Sequence, residues 1–206
     1  MPYFTIPNVE RVAAQVLIEA GLPVTATNAS TKLFRDSTIE QLAPVPEEPA
    51  AKPAVLFDIF LSHSSLDQLQ VLGIYTLLRT RGYSVYLDQI CDPLLNRAHV
   101  TRATARVLRY RIAQSRSLFV ATSSNATNSR WVPWELGFMD GWNAKAAVLP
   151  ILPSGTVSFK GQEYFELYLE VRDAGFAHVR PNDLDIYDNG AFVARWGTWL
   201  TMPRTF

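Results

Sequence analysis

Ser129-Arg-Trp-Val-Pro-Trp-Glu-Leu-Gly-Phe-Met-Asp-Gly141 is the stretch around which this 206-residue chain is organised. Pro133 is tolerated only in the first turn of a helix, and the stretch opens on a serine, a residue type that caps helix starts. The pattern therefore predicts a helix beginning near Arg130, with Trp131 and Glu135 one turn apart on the same face. The helix dipole would favour the ionised form of Glu135. By itself this pattern has two interpretations. Glu135 could be a functional carboxylate, or Trp131 could be a half-buried structural residue beside a solvated Glu135.

The composition is that of an ordinary soluble globular protein, with 48% hydrophobic and 18% charged residues. Nineteen lysines and arginines balance 19 acidic residues, so no net charge attracts nucleic acid or an anionic membrane. Cys91 is the only cysteine, which excludes an intrachain disulfide and argues against a cysteine-based metal site. No signal peptide and no apolar stretch of about 20 residues is present. We expect a cytoplasmic protein with no metal and no direct nucleic-acid or membrane partner.

The first part of the chain is predicted to be separate from the main domain. Asn8 is expected to cap a helix that ends at Gly21 and has one apolar face, formed by Val9, Val12, Ala13, Val16, Leu17 and Ala20. Four prolines between 43 and 53 predict a stiff connector. The expected units are an N-terminal helical extension (1–42), a proline-rich linker (43–54) and the main domain (55–206). A helix this short must bury its apolar face on a partner protein, on a second copy or on its own domain.

The main domain alternates short apolar runs with helical patterns, which is typical of a parallel sheet with helices on both faces. This β-α-β-α-β-α-β order predicts an α/β fold with a flavodoxin-like, doubly wound parallel sheet. Asp188 or Asn189 is expected to cap a last helix, giving a C-terminal helical extension. The predicted strands are 55–61, 83–87, 118–122 and 147–152.

The fold class also predicts where a site should lie. In a doubly wound sheet, ligands bind at the carboxyl ends of the strands where the strand order reverses, here between the first and third strands. The loops at that point, 62–65 and 123–129, are rich in hydroxyl and amide side chains, and the second leads directly to Trp131 and Glu135. This convergence favours a functional role for Glu135.

Other catalytic patterns are missing or weak. The chain has no GxGxxG, P-loop or nucleophile-elbow motif, and His63, His99 and His178 lack the spacing of metal ligands. Six arginines are most simply a solvated helix face: Arg97, Arg102, Arg106, Arg109, Arg111 and Arg116. Three of them, Arg102, Arg106 and Arg109, share one side, which would also suit an assembly contact or a phosphate neighbour.

Three motifs resemble those of Toll/interleukin receptor (TIR) domains, most closely the bacterial ones. Phe57-Asp-Ile-Phe-Leu-Ser-His-Ser-Ser-Leu-Asp67 resembles the first strand of that family. Gly82-Tyr-Ser-Val-Tyr-Leu-Asp88 resembles its second strand, and Trp131-x-x-x-Glu135 has the spacing of the motif that carries the catalytic glutamate in NAD⁺-cleaving members. The resemblance covers about residues 55–153, and many bacterial members act in anti-phage defence.

The resemblance implies roles for particular residues. Glu135 would be the catalytic carboxylate, and Trp131 would stack beside or shape the nicotinamide ribose. Ser62, His63 and Ser64 would lie on the loop that meets the dinucleotide. Asp88 would join the site conditionally, because the following loop moves in this family. NAD⁺ would be the substrate, with no cofactor, and the TIR domains would self-associate.

The function implied is that of an NAD⁺ glycohydrolase or cyclase, which releases nicotinamide and either ADP-ribose or one of the isomers of cyclic ADP-ribose. Two alternatives stay open at this point. One is a TIR interaction module without catalysis, and the other is an enzyme like the nucleoside deoxyribosyltransferases, which are related in fold and also use a glutamate.

Overall fold

The computed structural model describes residues 3–24, 42, 44–47, 52–92, 95, 99–123, 129–175 and 184–203. Within these residues the centre of the protein is one mixed sheet of eight strands. The strands are β1 (Phe4–Thr5), β2 (Phe57–His63), β3 (Val85–Tyr86), β4 (Ser115–Thr122), β5 (Ala146–Leu152), β6 (Leu169–Asp173), β7 (Leu184–Asp188) and β8 (Ala191–Arg195).

Helices cover both faces of the sheet. They are α1 (Ile6–Glu19), α2 (Gln68–Thr80), α3 (Asp88–Cys91), α4 (Arg102–Ala113), α5 (Val132–Asn143) and α6 (Trp196–Trp199), together with short 3₁₀ helices at Ser65–Asp67 and Glu163–Leu167. None of the helices in the described part of the chain is long and apolar enough to cross a lipid bilayer.

The strand order confirms the flavodoxin-like prediction. The order is β3-β2-β4-β5-β6-β7-β8, and every pair from β3 to β6 is parallel. Strand β7 is antiparallel to both of its neighbours, β6 and the edge strand β8, which makes the complete sheet mixed. Because β2 lies between β3 and β4, the loops that follow β2 and β4 leave the same edge of the sheet side by side.

The parallel strands are buried on both faces because each face has its own hydrophobic core. Ile59 and Leu61 of β2 point into the core shared with α1 and α2, whereas Phe60 points into the core shared with α4 and α5. Both faces therefore require apolar residues, which explains the continuous apolar runs in the sequence.

The N-terminal helix packs on its own domain, which is one of the three arrangements expected for it. Val9, Ala13 and Leu17 are buried, and α1 lies along α2. The two helices approach so closely that a β-carbon on Gly73 would lie 2.0 Å from the carbonyl oxygen of Val9. The preceding strand β1 pairs in parallel with the end of β5. Much of the segment from 25 to 51, including most of the predicted linker, lies outside the described residues.

Two predictions about helices were wrong, one near each end of the chain. Helix α1 begins at Ile6, with Pro7 in its first turn, so Asn8 is not its cap. The predicted C-terminal helix is instead a β-hairpin from β7 to β8, followed only by the short α6. Asn189 and Gly190 both have positive φ, at 45° and 84°. Such values suit a tight hairpin turn, so the sequence Asp-Asn-Gly acts as a turn here and not as a helix cap.

We expect Gly73→Ala to lower the free energy of unfolding by about 1–3 kcal/mol, because the added methyl group collides with backbone and α1 must move away. The matched control is Gly137→Ala in α5, where a β-carbon meets nothing within 4 Å. That change should raise stability by up to about 1 kcal/mol through helix propensity. Urea unfolding monitored by circular dichroism measures both. Equal stability of the two variants would contradict the close α1–α2 packing.

Candidate functional site

Helix α5 places Glu135 at the predicted edge of the sheet. The helix begins at Val132, two residues later than predicted, and Pro133 occupies its first turn. The hydroxyl oxygen of Ser129 accepts a hydrogen bond from the Val132 amide at 3.3 Å. The Glu135 amide donates to the carbonyl oxygen of Trp131 at 2.8 Å, so the two residues are one turn apart as predicted.

Ser62 and Glu135 form the centre of the site. The Ser62 hydroxyl donates a hydrogen bond to Oε2 of Glu135 over 2.5 Å, and both residues are 0% exposed. Ser62 and His63 were predicted to lie in a loop, but they are the last two residues of β2. In the parallel ladder, Ser62 is level with Val120 of β4. The strand therefore fixes the backbone of the residue that contacts the carboxylate.

His63 brings a second group of polar side chains into the site. Its Nε2 atom lies 3.2 Å from the amide nitrogen of Gln89, and its Nδ1 atom lies 4.0 Å from Oδ1 of Asp88. His63 and Asp88 are both buried. The structure thus brings together two residues that the TIR resemblance implied, and it adds Gln89, which the sequence analysis missed. Gln89 could have been found from the sequence, because it directly follows Asp88.

Ser64 and Trp131 lie beside this centre and are also buried. The Ser64 hydroxyl oxygen accepts a hydrogen bond from the Leu66 amide at 3.3 Å and caps the 3₁₀ helix. The Trp131 ring packs edge-on against Trp134, with 5.6 Å between ring centroids. Trp134 in turn begins a row of stacked aromatic rings along α5 that continues with Phe138 and Trp142.

Asp67 links the segment after β2 to the end of β4, at the edge where the strand order reverses. The sequence did not identify this residue as part of the site. Its carboxylate accepts a hydrogen bond from the Ser123 hydroxyl at 2.6 Å and a longer one from the Ser123 amide at 3.4 Å. Asp67 is 1% exposed. The loop after β2 is therefore tied to the end of β4, and no local pattern in the sequence would reveal a pairing across 56 residues.

The prediction that Arg111 belongs to a solvated helix face was wrong. It is 2% exposed, and its guanidinium forms two hydrogen bonds with the carboxylate of Asp92. Arg109, two residues earlier on the same helix, is exposed as predicted. The two arginines differ because only one faces the short helix α3.

This arrangement is suited to stabilising positive charge. A carboxylate held away from water interacts strongly with a cation that develops next to it, since the local dielectric constant is low. Among the described residues, no cluster of three or more histidine, cysteine, aspartate or glutamate side chains is arranged to hold a metal ion.

The fold and the site define the class of this protein. It is a flavodoxin-like α/β domain with a buried glutamate at the carboxyl ends of two central strands. The family model described as TIR domain matches residues 59–179, and the chain belongs to the TIR domain family.

Two relatives and one solved structure are similar to this chain. "Probable 3' cyclic ADP-D-ribose synthase ThsB'" of Bacillus cereus (strain MSX-D12) is 41% identical over 146 residues, which cover 70% of this chain and 76% of that protein. "Putative cyclic ADP-D-ribose synthase TIR2" of Cytobacillus dafuensis is 32% identical over 84 residues, covering 40% of this chain and 22% of that protein. A metazoan TIR-STING receptor from C. gigas has 17% identity and a TM-score of 0.37, with 52% of this chain and 34% of that chain covered.

We expect Cys91 to react slowly with iodoacetamide, because burial raises the pKa of its thiol from 9.0 to about 11. At pH 8 the thiolate is then about 100-fold rarer than in unfolded protein, and the greater nucleophilicity of each thiolate offsets about tenfold of this. Alkylation of the folded protein should therefore be about tenfold slower than in urea. The sign of the shift also predicts that the folded rate keeps rising up to about pH 11, whereas the unfolded rate levels off near pH 9. A folded protein whose rate levels off near pH 9 would contradict the burial of this thiol.

Proposed function

We propose that this protein cleaves the bond between nicotinamide and ribose in NAD⁺ and closes the remaining ADP-ribosyl group into a cyclic ADP-ribose, with free ADP-ribose as the product when water attacks instead. The observation that carries the proposal is the buried Glu135 carboxylate of a TIR fold. It accepts a hydrogen bond from Ser62 at the edge of the sheet where the strand order reverses. The names of the two relatives support the same reaction, since both are called cyclic ADP-D-ribose synthases.

A single carboxylate is chemically sufficient for the first step. Most glycosidases need a second carboxyl group to protonate the departing oxygen. In NAD⁺ the leaving group is a cationic pyridinium, which takes the electron pair of the broken bond and departs as neutral nicotinamide. No proton has to be supplied. The remaining requirement is to stabilise positive charge on the ribose, and Glu135 would supply the negative charge for this.

The second step decides between cyclisation and hydrolysis. In cyclisation, a hydroxyl oxygen or ring nitrogen of the same ADP-ribosyl group bonds to the ribose carbon, whereas in hydrolysis a water molecule does so; a hydroxyl or water releases its proton to the solvent. Exclusion of water therefore favours the cyclic product. Cyclisation is also supported by the names of the two relatives, which both specify a cyclic ADP-D-ribose.

Substrate binding would use the polar residues around Glu135. We propose that His63 and Asp88 contact the substrate from the side of β2 and α3, and that Trp131 shapes the space next to the ribose. Ser62 would orient the carboxylate, since its hydroxyl already donates to Glu135. Ser64 would contribute through its backbone, because its hydroxyl oxygen caps the following 3₁₀ helix.

We expect Glu135→Gln to reduce turnover of NAD⁺ by at least about 10²–10³-fold, because the amide removes the negative charge and keeps the size. Ser62→Ala should give a smaller loss in kcat, since the carboxylate remains but loses a hydrogen bond that orients it. Mass spectrometry of NAD⁺ incubated with concentrated protein measures nicotinamide, ADP-ribose and cyclic products separately.

Glu163→Gln is the matched control for this experiment, because Glu163 is an exposed glutamate at the start of a 3₁₀ helix. It should retain wild-type activity and a similar melting temperature. Wild-type turnover in folded Glu135→Gln would refute the catalytic assignment. If the wild-type protein leaves NAD⁺ intact, the same assay with deoxynucleosides separates a deoxyribosyltransferase from a non-catalytic interaction module.

We further propose that activity requires self-association of the TIR domain. Glu135 is 0% exposed, so NAD⁺ reaches it only after neighbouring side chains move, and assembly would supply the contacts that stabilise such a rearrangement. We expect specific activity to rise as protein concentration is increased over about three orders of magnitude, because self-association follows mass action. Activity assays and light scattering on the same samples test this. Constant specific activity from a monomer across the series would contradict it.

A further inference from the structure

We propose that Asp92 and Arg111 form a positioning pair that holds the short helix α3 against His63 and thereby sets the affinity of the site for NAD⁺. The effect on NAD⁺ rests on the function proposed above, whereas the effect on α3 does not. Asp92 directly follows α3 and Arg111 binds it there, so we assign both residues an action through α3 and not on the reacting atoms.

The two side chains form a bidentate ion pair between α4 and the end of α3. Nε of Arg111 donates to Oδ2 of Asp92 over 2.9 Å, and its Nη2 donates to Oδ1 over 3.1 Å. Its remaining nitrogen, Nη1, donates to the side chain of Gln114 over 3.0 Å. The Tyr86 hydroxyl also donates to Oδ2 of Asp92, over 2.9 Å. The planar guanidinium and the carboxylate thus have fixed positions as well as opposite charges.

Helix α3 depends on tertiary contacts, which include these polar contacts and the burial of Ile90 in the hydrophobic core. It has only four residues, Asp88–Cys91, and no side chain caps its N-terminus. A single helical turn does not persist in water without tertiary contacts. The first residues of α3 carry the polar groups that face His63, and the residue directly after α3 is Asp92. The ion pair therefore anchors one end of α3, and the contacts with His63 engage the other end.

Loosening the pair should thus affect substrate binding more than the chemical step. If α3 moves, Asp88 and Gln89 lose their positions next to His63. The bond between Ser62 and Glu135 belongs to β2 and α5 and does not involve α3. A change in KM with little change in kcat is the signature of lost binding without lost stabilisation of the transition state.

The test compares Arg111→Lys with Arg109→Lys in the full-length chain. Lysine keeps the charge at position 111 but cannot reproduce the two parallel hydrogen bonds of the guanidinium. Arg109 is exposed on the same helix, and its Nε donates only to the backbone of its own helix in the contacts described, so it is the matched control. Asp92→Asn is the second variant, since it removes the charge and still offers an oxygen to Tyr86.

Two readouts are needed, and the first does not depend on any activity. Cys91 lies in α3, so release of this helix exposes the thiol and lowers its pKa towards 9.0 from about 11. In Arg111→Lys, which keeps the positive charge, we expect iodoacetamide to label Cys91 about tenfold faster at pH 8, with wild-type labelling in Arg109→Lys. Asp92→Asn is used only in the second readout, because the charge of Asp92 itself helps to raise the pKa of Cys91. The second readout is NAD⁺ turnover, in which KM should rise about tenfold while kcat stays within about threefold of the wild type.

The outcomes separate this proposal from the proposed function. Unchanged Cys91 labelling in Arg111→Lys would overturn the proposal, because α3 would then not depend on the pair. Faster labelling with a lower kcat and an unchanged KM would also overturn it, since the pair would then support the fold or the chemistry and not substrate binding. If the wild-type protein has no activity on NAD⁺, the proposed function fails, and the labelling rates still decide whether the pair holds α3.

Discussion

The hydrogen bond between Ser62 and Glu135 is the interaction on which the organisation of the site depends. It joins the end of a central strand to the first turn of a helix, and both partners are excluded from water. A carboxylate in such a place is costly to bury unless hydrogen bonds and local dipoles compensate. The serine hydroxyl and the N-terminal part of α5 provide that compensation. The same burial makes the carboxylate effective towards a developing cation, because few water molecules remain to screen it.

The site is assembled from side chains whose backbones are fixed by the sheet and its helices. Asp67 and Ser123 tie the segment after β2 to the end of β4, and His63 connects β2 to the start of α3. Each contact joins residues that are distant in sequence but emerge at the same edge of a parallel sheet. A reaction site built in this way needs few flexible residues for its geometry, which suits a positioned charge.

The N-terminal segment belongs to the same folded body. Arg172 illustrates this, because its guanidinium lies between the rings of Tyr3 and Tyr187, at 4.3 and 4.2 Å from their centroids. The Tyr3 hydroxyl also donates to Glu170, and its pKa is raised to about 12, chiefly by burial and by this hydrogen bond. Residues before the central strands therefore contribute to both the sheet and its hydrophobic core. Whether the extension also recruits a partner protein stays a prediction.

The sequence by itself determined the features that depend on local periodicity and local backbone geometry. Apolar runs between helical patterns gave the parallel sheet, Pro133 limited where α5 begins, and Gly82 ended α2 with its positive φ of 88°. Together with the strand order, these features brought Ser62, His63 and Glu135 to one edge. Only the tertiary structure decided which polar side chains pair across the fold. Arg109 and Arg111 belong to one polar helix pattern, yet Arg111 alone meets Asp92, because burial of a charge depends on a partner supplied by a distant segment.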